Sequence, residues 1–315
     1  MDGLWSDPQS STTTVAEYVP HFQASRQGRG GGPIKAKTLQ LSESQLARYI
    51  LPTLGSHKLF SLSVADVNNW HAALPDRPSL RRQVYSLLKA LMNLAVREGL
   101  VRGGKNPCQI VGAGQNRYDK RPYMSLAHVD QMIDELPPVI AEVATLAFNA
   151  HLRLGEVLAL KRRDVDLPAS QLVVRSAVTE VHNEQIESTT KSSRVRVIDI
   201  DSDTRDCLVG YLSLHPRSPN ERLFIRDDDS DLRHFHVQSA WRAARERAGL
   251  RQYRFHDLRH AGLTMLAEAG VPLSGLMHRA GHSTVVAAMN YQSRADERGP
   301  IEAKLFAEAK RAARA

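Results

Sequence analysis

Cysteine is nearly absent. Only Cys108 and Cys207 occur in 315 residues. Two thiols so far apart exclude a disulfide framework and a cysteine-based zinc site, and they suit a reducing compartment. Long apolar runs are missing too. The most apolar stretch, PPVIAEVATLAFNAHL (137–152), carries Glu142 and two prolines and is too short to cross a bilayer. The N-terminal MDGLWSDPQSSTTT is polar, with no apolar segment of the kind a secretory signal requires. These absences predict a soluble protein with no membrane partner. Acidic residues are also in short supply: 34 Asp and Glu face 42 Lys and Arg, a net charge of +8. Such an excess is the electrostatic footprint of a nucleic-acid binder, although many basic proteins bind no polyanion.

Enough apolar residues remain, at 42%, to bury a core, and the charged fraction of 24% is that of a folded chain. The length suggests about two domains. Residues 1–13 read as a polar tail. Residues 14–115 read as a helical domain. VAEYVPHFQASR ends at the glycine-rich QGRGGGP, and TLQLSESQLARYILPTLG is expected to stop at Pro52 and Gly55. Ser63 and Asp66 form a capping box. In SLRRQVYSLLKALMNLAVREGL, Leu80, Val84, Leu87, Leu88, Leu91, Leu94 and Ala95 recur at helical spacing. Arg81, Arg82, Lys89 and Arg97 lie off that stripe, on a face that is either solvated or in contact with phosphates. Residues 116–123 read as a linker. Residues 124–315 read as a second domain of helices around two short strands, QLVVRSAV and RVRVIDI, closed by a basic, alanine-rich tail helix. The predicted class is mainly α with a small β-sheet.

Five places carry residues suited to chemistry. Arg153 immediately precedes a short helix, and Glu156, one turn on, is placed to hold its guanidinium. Arg162, Arg163 and Asp164 follow and read as surface. Lys191 lies in the turn before RVRVIDI, where a lysine ordinarily faces solvent. His256 and Arg259 are spaced i, i+3 and share a helix face, a pairing suited to an anion such as phosphate or to a solvated helix end. His282 precedes Tyr291 by nine residues in GHSTVVAAMNYQ. The pairs His256/His260 and His278/His282 have an i, i+4 spacing that can hold a metal ion. No carboxylate ligand follows either pair, and HDLRH lacks the glutamate of the zincin motif.

Taken in order, HLRLGEVLAL, TKSSRVRVIDI, FHDLRHAGLTMLAEAG and GHSTVVAAMNYQ resemble the motifs of the tyrosine recombinases, the phage-integrase type in particular, over about 124–295. The N-terminal half is similar to that family's helical core-binding domain. The family often carries Thr-Gly before Leu-Arg. Ala150-His151 stands here, which is expected to alter the local turn and leave Arg153 in place. Only about a dozen residues precede the core-binding region, so no arm-site-binding domain is expected.

The resemblance implies a site-specific recombinase that integrates or excises a phage or mobile element. Tyr291 would attack a DNA phosphodiester and form a 3′-phosphotyrosyl link. A phenol of pKa about 10 is barely ionised at neutral pH, and the family's arrangement makes His256 its general base. Arg153 and Arg259 would clamp the non-bridging oxygens, His282 would add a donor, and Lys191 would protonate the leaving 5′-oxygen. Glu156 supports. No metal, ATP or other cofactor is implied. The implied partners are double-stranded attachment core sites and three further copies of the chain in a tetramer, with the C-terminal tail docked on a neighbouring protomer. The reaction admits a directionality factor, and the implied location is the bacterial cytoplasm. A type IB topoisomerase-like strand transferase, a metal-dependent nuclease and a catalytically silent DNA-binding regulator are the competing readings.

Overall fold

The computed structural model describes residues 12–28, 31–115, 122–189, 195–281, 284–285 and 310–311. The chain divides into two compact units, Met1–Lys120 and Arg121–Ala315.

The first unit is built of helices. α1 (Val15–Ser25) opens on a reciprocal cap: the Thr14 hydroxyl accepts from the Glu17 backbone N–H, and the Glu17 carboxylate accepts from that of Thr14. α2 (Ala36–Gln45), a wide π-turn (Leu46–Ile50) and α3 (Leu51–Leu54) then run on without a break. Pro52 therefore does not stop the helix as its sequence suggests. A proline lacks the N–H that its turn needs, and its ring meets the carbonyl four residues back. The wide turn just before it, closed by Leu51 N–H on the Leu46 carbonyl, opens the ladder where that clash would fall. Within this stretch the Tyr49 carbonyl accepts from Trp70 Nε1 at 2.6 Å. α4 (Val64–Ala73) carries the Ser63–Asp66 capping box. α5 (Pro78–Arg97) buries Val84, Tyr85, Leu87, Leu88, Leu91, Met92 and Ala95. Each large side chain among them contributes about 1.5–3 kcal/mol, so this stripe anchors the unit. Arg81, off the stripe, donates through Nη2 to the carbonyls of Ala72 and Leu74, closing the end of α4. Cys108 is buried, and that burial pushes its thiol up to about 12; Cys207 is exposed, and both are free.

The second unit begins with α6 (Leu126–Asp134), α7 (Pro138–Asn149) and the single turn α8 (Leu154–Val157). β1 (Val165–Asp166), β2 (Gln171–Val174) and β5 (Arg196–Asp199) form an antiparallel sheet in the order β1-β2-β5. β3 (Ser176–Val181) and β4 (Glu184–Thr189) form a separate hairpin. QLVVRSAV is thus two strands of two sheets. Arg175 divides them, its Nε on the Asp164 carboxylate at 3.0 Å. Asp164 is buried, not on the surface, because it also accepts from the Lys161 backbone N–H. β4 escapes a reading by hydrophobicity, since EQIEST has a single apolar residue, Ile186. Its two-residue turn, His182-Asn183, has both φ angles positive, as a tight hairpin requires.

α9 (Ser202–Leu214), α10 (His234–Arg247), α11 (His256–Glu268) and α12 (Leu273–Ala280) complete the unit. Val143, Ala144, Leu172, Val174, Ile198, Trp241, Leu258 and Ala261 lie in one buried cluster. α11 meets α7 closely: a Cβ on Gly262 would stand 2.6 Å from the Phe148 carbonyl oxygen. That approach brings the first turn of α11 to the chain that leaves α7, where Arg153 lies.

Candidate active site

Glu156 is the centre of the site. It sits in α8, and its side chain is 1% exposed. Its Oε2 accepts from the Arg153 backbone N–H at 2.9 Å, and its Oε1 from Arg153 Nη1 at 2.8 Å. Arg196, at the start of β5, donates Nη1 to Oε1 at 3.2 Å and Nη2 to Oε2 at 2.7 Å, a forked contact. Arg259, from the first turn of α11, brings Nη1 within 3.7 Å of Oε2. Three guanidinium groups thus share one carboxylate, an excess of two positive charges. Burial pushes the Glu156 carboxyl upward, but the hydrogen bonds and charge of Arg196, and then the charge of Arg153, hold it down at about 2. It is ionised throughout the physiological range.

The three arginines differ in access. Arg259 is sealed in, 1% exposed, and donates to the carbonyls of His151 and Ala280. Arg196 is 5% exposed. Arg153, 25% exposed, is the most open of the three. Fixed donors that need no reorganisation are worth most where water is excluded, and this cluster has that character.

The turn into Arg153 is set by His151. Its φ is +56°, in the left-handed region that glycine enters without strain. Histidine therefore holds a conformation open to the glycine the family often has at that position. The imidazole is buried against Gly262, and Arg279 Nε donates to its Nδ1 at 3.3 Å. Burial, and then the charge of Arg279, hold its pKa down at about 3, so the ring is neutral.

His256 opens α11 and is exposed, its ring 4.7 Å from that of His260 in an edge-on contact. Helical spacing puts His256 and Arg259 on one side, but burial separates them. Asp257 fixes the helix start by accepting from the Arg254 backbone N–H at 2.7 Å. Among the described residues no group of three His, Cys, Asp or Glu side chains could hold a metal ion, and no helix is long and apolar enough to cross a membrane. Lys191, His282 and Tyr291 lie outside the described residues, as do the tail helix's neighbours in sequence on both sides of 310–311.

Arg196 is the residue that reading the sequence missed. A signal was present. In RVRVIDI, Arg196 shares strand parity with Ile198 and Ile200, which are buried, while Val195 and Val197 share parity with Asp199.

The model of the phage integrase family matches residues 123–298. The integrase assigned to prophage phiRv2 of Mycobacterium tuberculosis is 32% identical over 272 residues, covering 84% of this chain and 72% of that protein. The fold is similar to that of the Tn1549 transposon integrase solved with transposon right end DNA: TM-score 0.72, 18% identity, 91% of this chain and all of that one covered. It is also similar to that of a lambda integrase tetramer bound to a Holliday junction: TM-score 0.66, 17% identity, 90% of this chain and 83% of that one.

Proposed function

This chain belongs to the phage integrase family, and on that premise we propose that it cuts and rejoins DNA at attachment core sites through a 3′-phosphotyrosyl intermediate on Tyr291. It is an enzyme, a site-specific tyrosine recombinase. The observation that carries the finer reading is the cluster of Arg153, Arg196 and Arg259 around one buried carboxylate. A phosphodiester carries one negative charge and its pentacoordinate transition state two. An excess of two fixed positive charges favours the transition state over the bound ground state, and that difference is what accelerates a reaction.

The roles follow from the chemistry. The Tyr291 phenolic oxygen bonds to phosphorus, the bond to the 5′-oxygen breaks, the phenolic proton passes to His256, and Lys191 supplies a proton to the departing 5′-oxygen. Arg153 and Arg259 hold the non-bridging oxygens, and His282 adds a donor. The phosphodiester's energy stays in the tyrosyl ester, so attack by a second 5′-hydroxyl reseals DNA without ATP. Residues 14–115 serve as the core-site-binding domain. By likeness to the lambda assembly, the working unit is a tetramer on two DNA sites, with the C-terminal tail docked on a neighbour. A directionality factor sets the outcome, and the bacterial cytoplasm is the place of action.

The test is incubation with nicked duplex DNA from the attachment region, then mass spectrometry of the trapped peptide. The adduct is expected on Tyr291, and Tyr291→Phe is expected to bind DNA and trap none. An adduct on another residue, or one that survives Tyr291→Phe, overturns the nucleophile assignment.

A further inference from the structure

We propose that Arg196 is a positioning residue of the strand-transfer site: by holding both oxygens of Glu156 it supplies that carboxylate's counter-charge and so releases Arg153 for the DNA phosphate. The proposal rests on the function argued above and names how its central cation is kept available.

The first observation is a strand turned against its own hydrophobicity. β5 puts the Arg196 side chain inside with Ile198 and Ile200, while Val195 is 58% and Val197 40% exposed. Burying a guanidinium and leaving two valines in water costs free energy on both counts. Moving the pairing by one residue would reverse both, yet the register Leu172↔Ile198 and Val174↔Arg196 keeps the arginine inside.

The second observation is the division of labour around the carboxylate. A buried carboxylate needs a counter-ion, since one left unpaired is strongly destabilising. Among the described residues, Arg153 and Arg259 are the other cations beside Glu156. Arg259 touches it at 3.7 Å and gives Nη1 and Nη2 to two backbone carbonyls. Without Arg196, Arg153 would have to neutralise Glu156, and the carboxylate would compete with phosphate for the same guanidinium. With Arg196 forked onto both oxygens, Arg153 needs a single contact from Nη1, enough to fix its direction.

The third observation is how the guanidinium is confined. A Cβ on Gly281 would come 3.0 Å from Arg196 Nη1 and 3.2 Å from its central carbon, and Gly281 has φ +58°. Its Nε is buried without a hydrogen-bond partner among the described residues. An arginine kept there despite an unmet donor is held for its two terminal nitrogens, and both go to Glu156.

A double-mutant cycle on single-turnover cleavage of the nicked attachment duplex tests this, with DNA affinity and thermal unfolding measured alongside. Arg196→Met is expected to bind DNA nearly as the parent does and to cleave roughly 100-fold more slowly, the scale of loss for a misplaced reacting group. Adding Glu156→Gln, which removes the competing charge, is expected to recover about tenfold of that loss, since side chains in contact do not act additively. Arg196→Lys with and without Glu156→Gln runs the same cycle with a retained charge, and it decides the matter if the methionine variant does not fold. A double variant no faster than the single one, or an Arg196 variant that cleaves at the parent rate, overturns the proposal while the recombinase reading stands. A parent chain that traps no adduct overturns both.

Discussion

Residues 12–115 and residues 122–281 bury different things. Among the described residues, the helical unit encloses two polar side chains, Ser42 and Gln45, and neither is charged. Ser42 accepts from Arg26 Nη1 at 2.7 Å and Gln45 Nε2 donates to Gln83 at 3.0 Å, while caps at Thr14 and Ser63 and Arg81 on the end of α4 close the helix ends. The second unit encloses Glu156, Asp164, Arg196, Asp257 and Arg259, with His151 among them. Replacing a buried ion pair with apolar residues is often neutral or stabilising. Charges that persist in a core therefore ask for a reason other than stability, and here five of those six groups, all but Asp164, lie on α8, β5 and α11 or on the turn that leads into α8. The first unit has a buried core without charge; the second has a core that carries the charged cluster proposed above as the reaction site.

The sharpest way to break this contrast is Glu156→Ala. It strands three guanidinium groups without their shared carboxylate, and we expect a loss of roughly 3–5 kcal/mol. Hydrogen exchange followed by mass spectrometry should place the loss in peptides beyond residue 121, and faster exchange confined to residues 14–115 would contradict it. Leu88→Ala is the counterpart in the helical unit. Leu88 is fully buried in α5, and its truncation is expected to cost about 2–5 kcal/mol through lost burial and a cavity. Exchange should quicken within 14–115. A cost well under 1 kcal/mol in urea unfolding would mean that α5 is not the anchor.

The smallest effect sharpens the comparison through pH. The folded pKa of His151, about 3, lies below the ordinary 6.5. The unfolded chain takes up the proton first as pH falls. Stability from the neutral ring is complete above 6.5 and drains away as pH drops toward 3, by about 1.4 kcal/mol per pH unit. Glu156 contributes in the same direction only below its ordinary 4.5. Urea unfolding of His151→Asn, which tolerates a positive φ, should show a flatter decline between pH 6 and 4 than the parent. An unchanged slope would mean that His151 is not the group responsible.

Much of the helical unit could be read in advance. The α5 stripe and the Ser63–Asp66 cap are local patterns, repeated every three or four residues, and local geometry enforces them. Arg153 with Glu156 was legible for the same reason, at i, i+3. Pro52 misled because its effect depends on the turn before it, where a wider π-turn removes the clash. β4 was hidden by its polarity. Asp164 passed for a surface residue because its partner, Arg175, is a side chain on a later loop. Arg196 was overlooked for a stronger version of that reason: its carboxylate lies 40 residues away.

Composition and order alone determined that this is a basic, mainly helical chain with a small sheet, carrying arginine, lysine, histidine and tyrosine in the sequence of the phage integrases. Those are properties of neighbours along a chain, where 3.6-residue and two-residue periods can be counted. Which face of β5 turns inward, and that three distant guanidinium groups converge on one carboxylate, only the tertiary structure decided. A strand's alternation defines two faces but not which one is buried. That choice is made by the segments packed on it, and the cost of enclosing charge is settled only when all of them are in place.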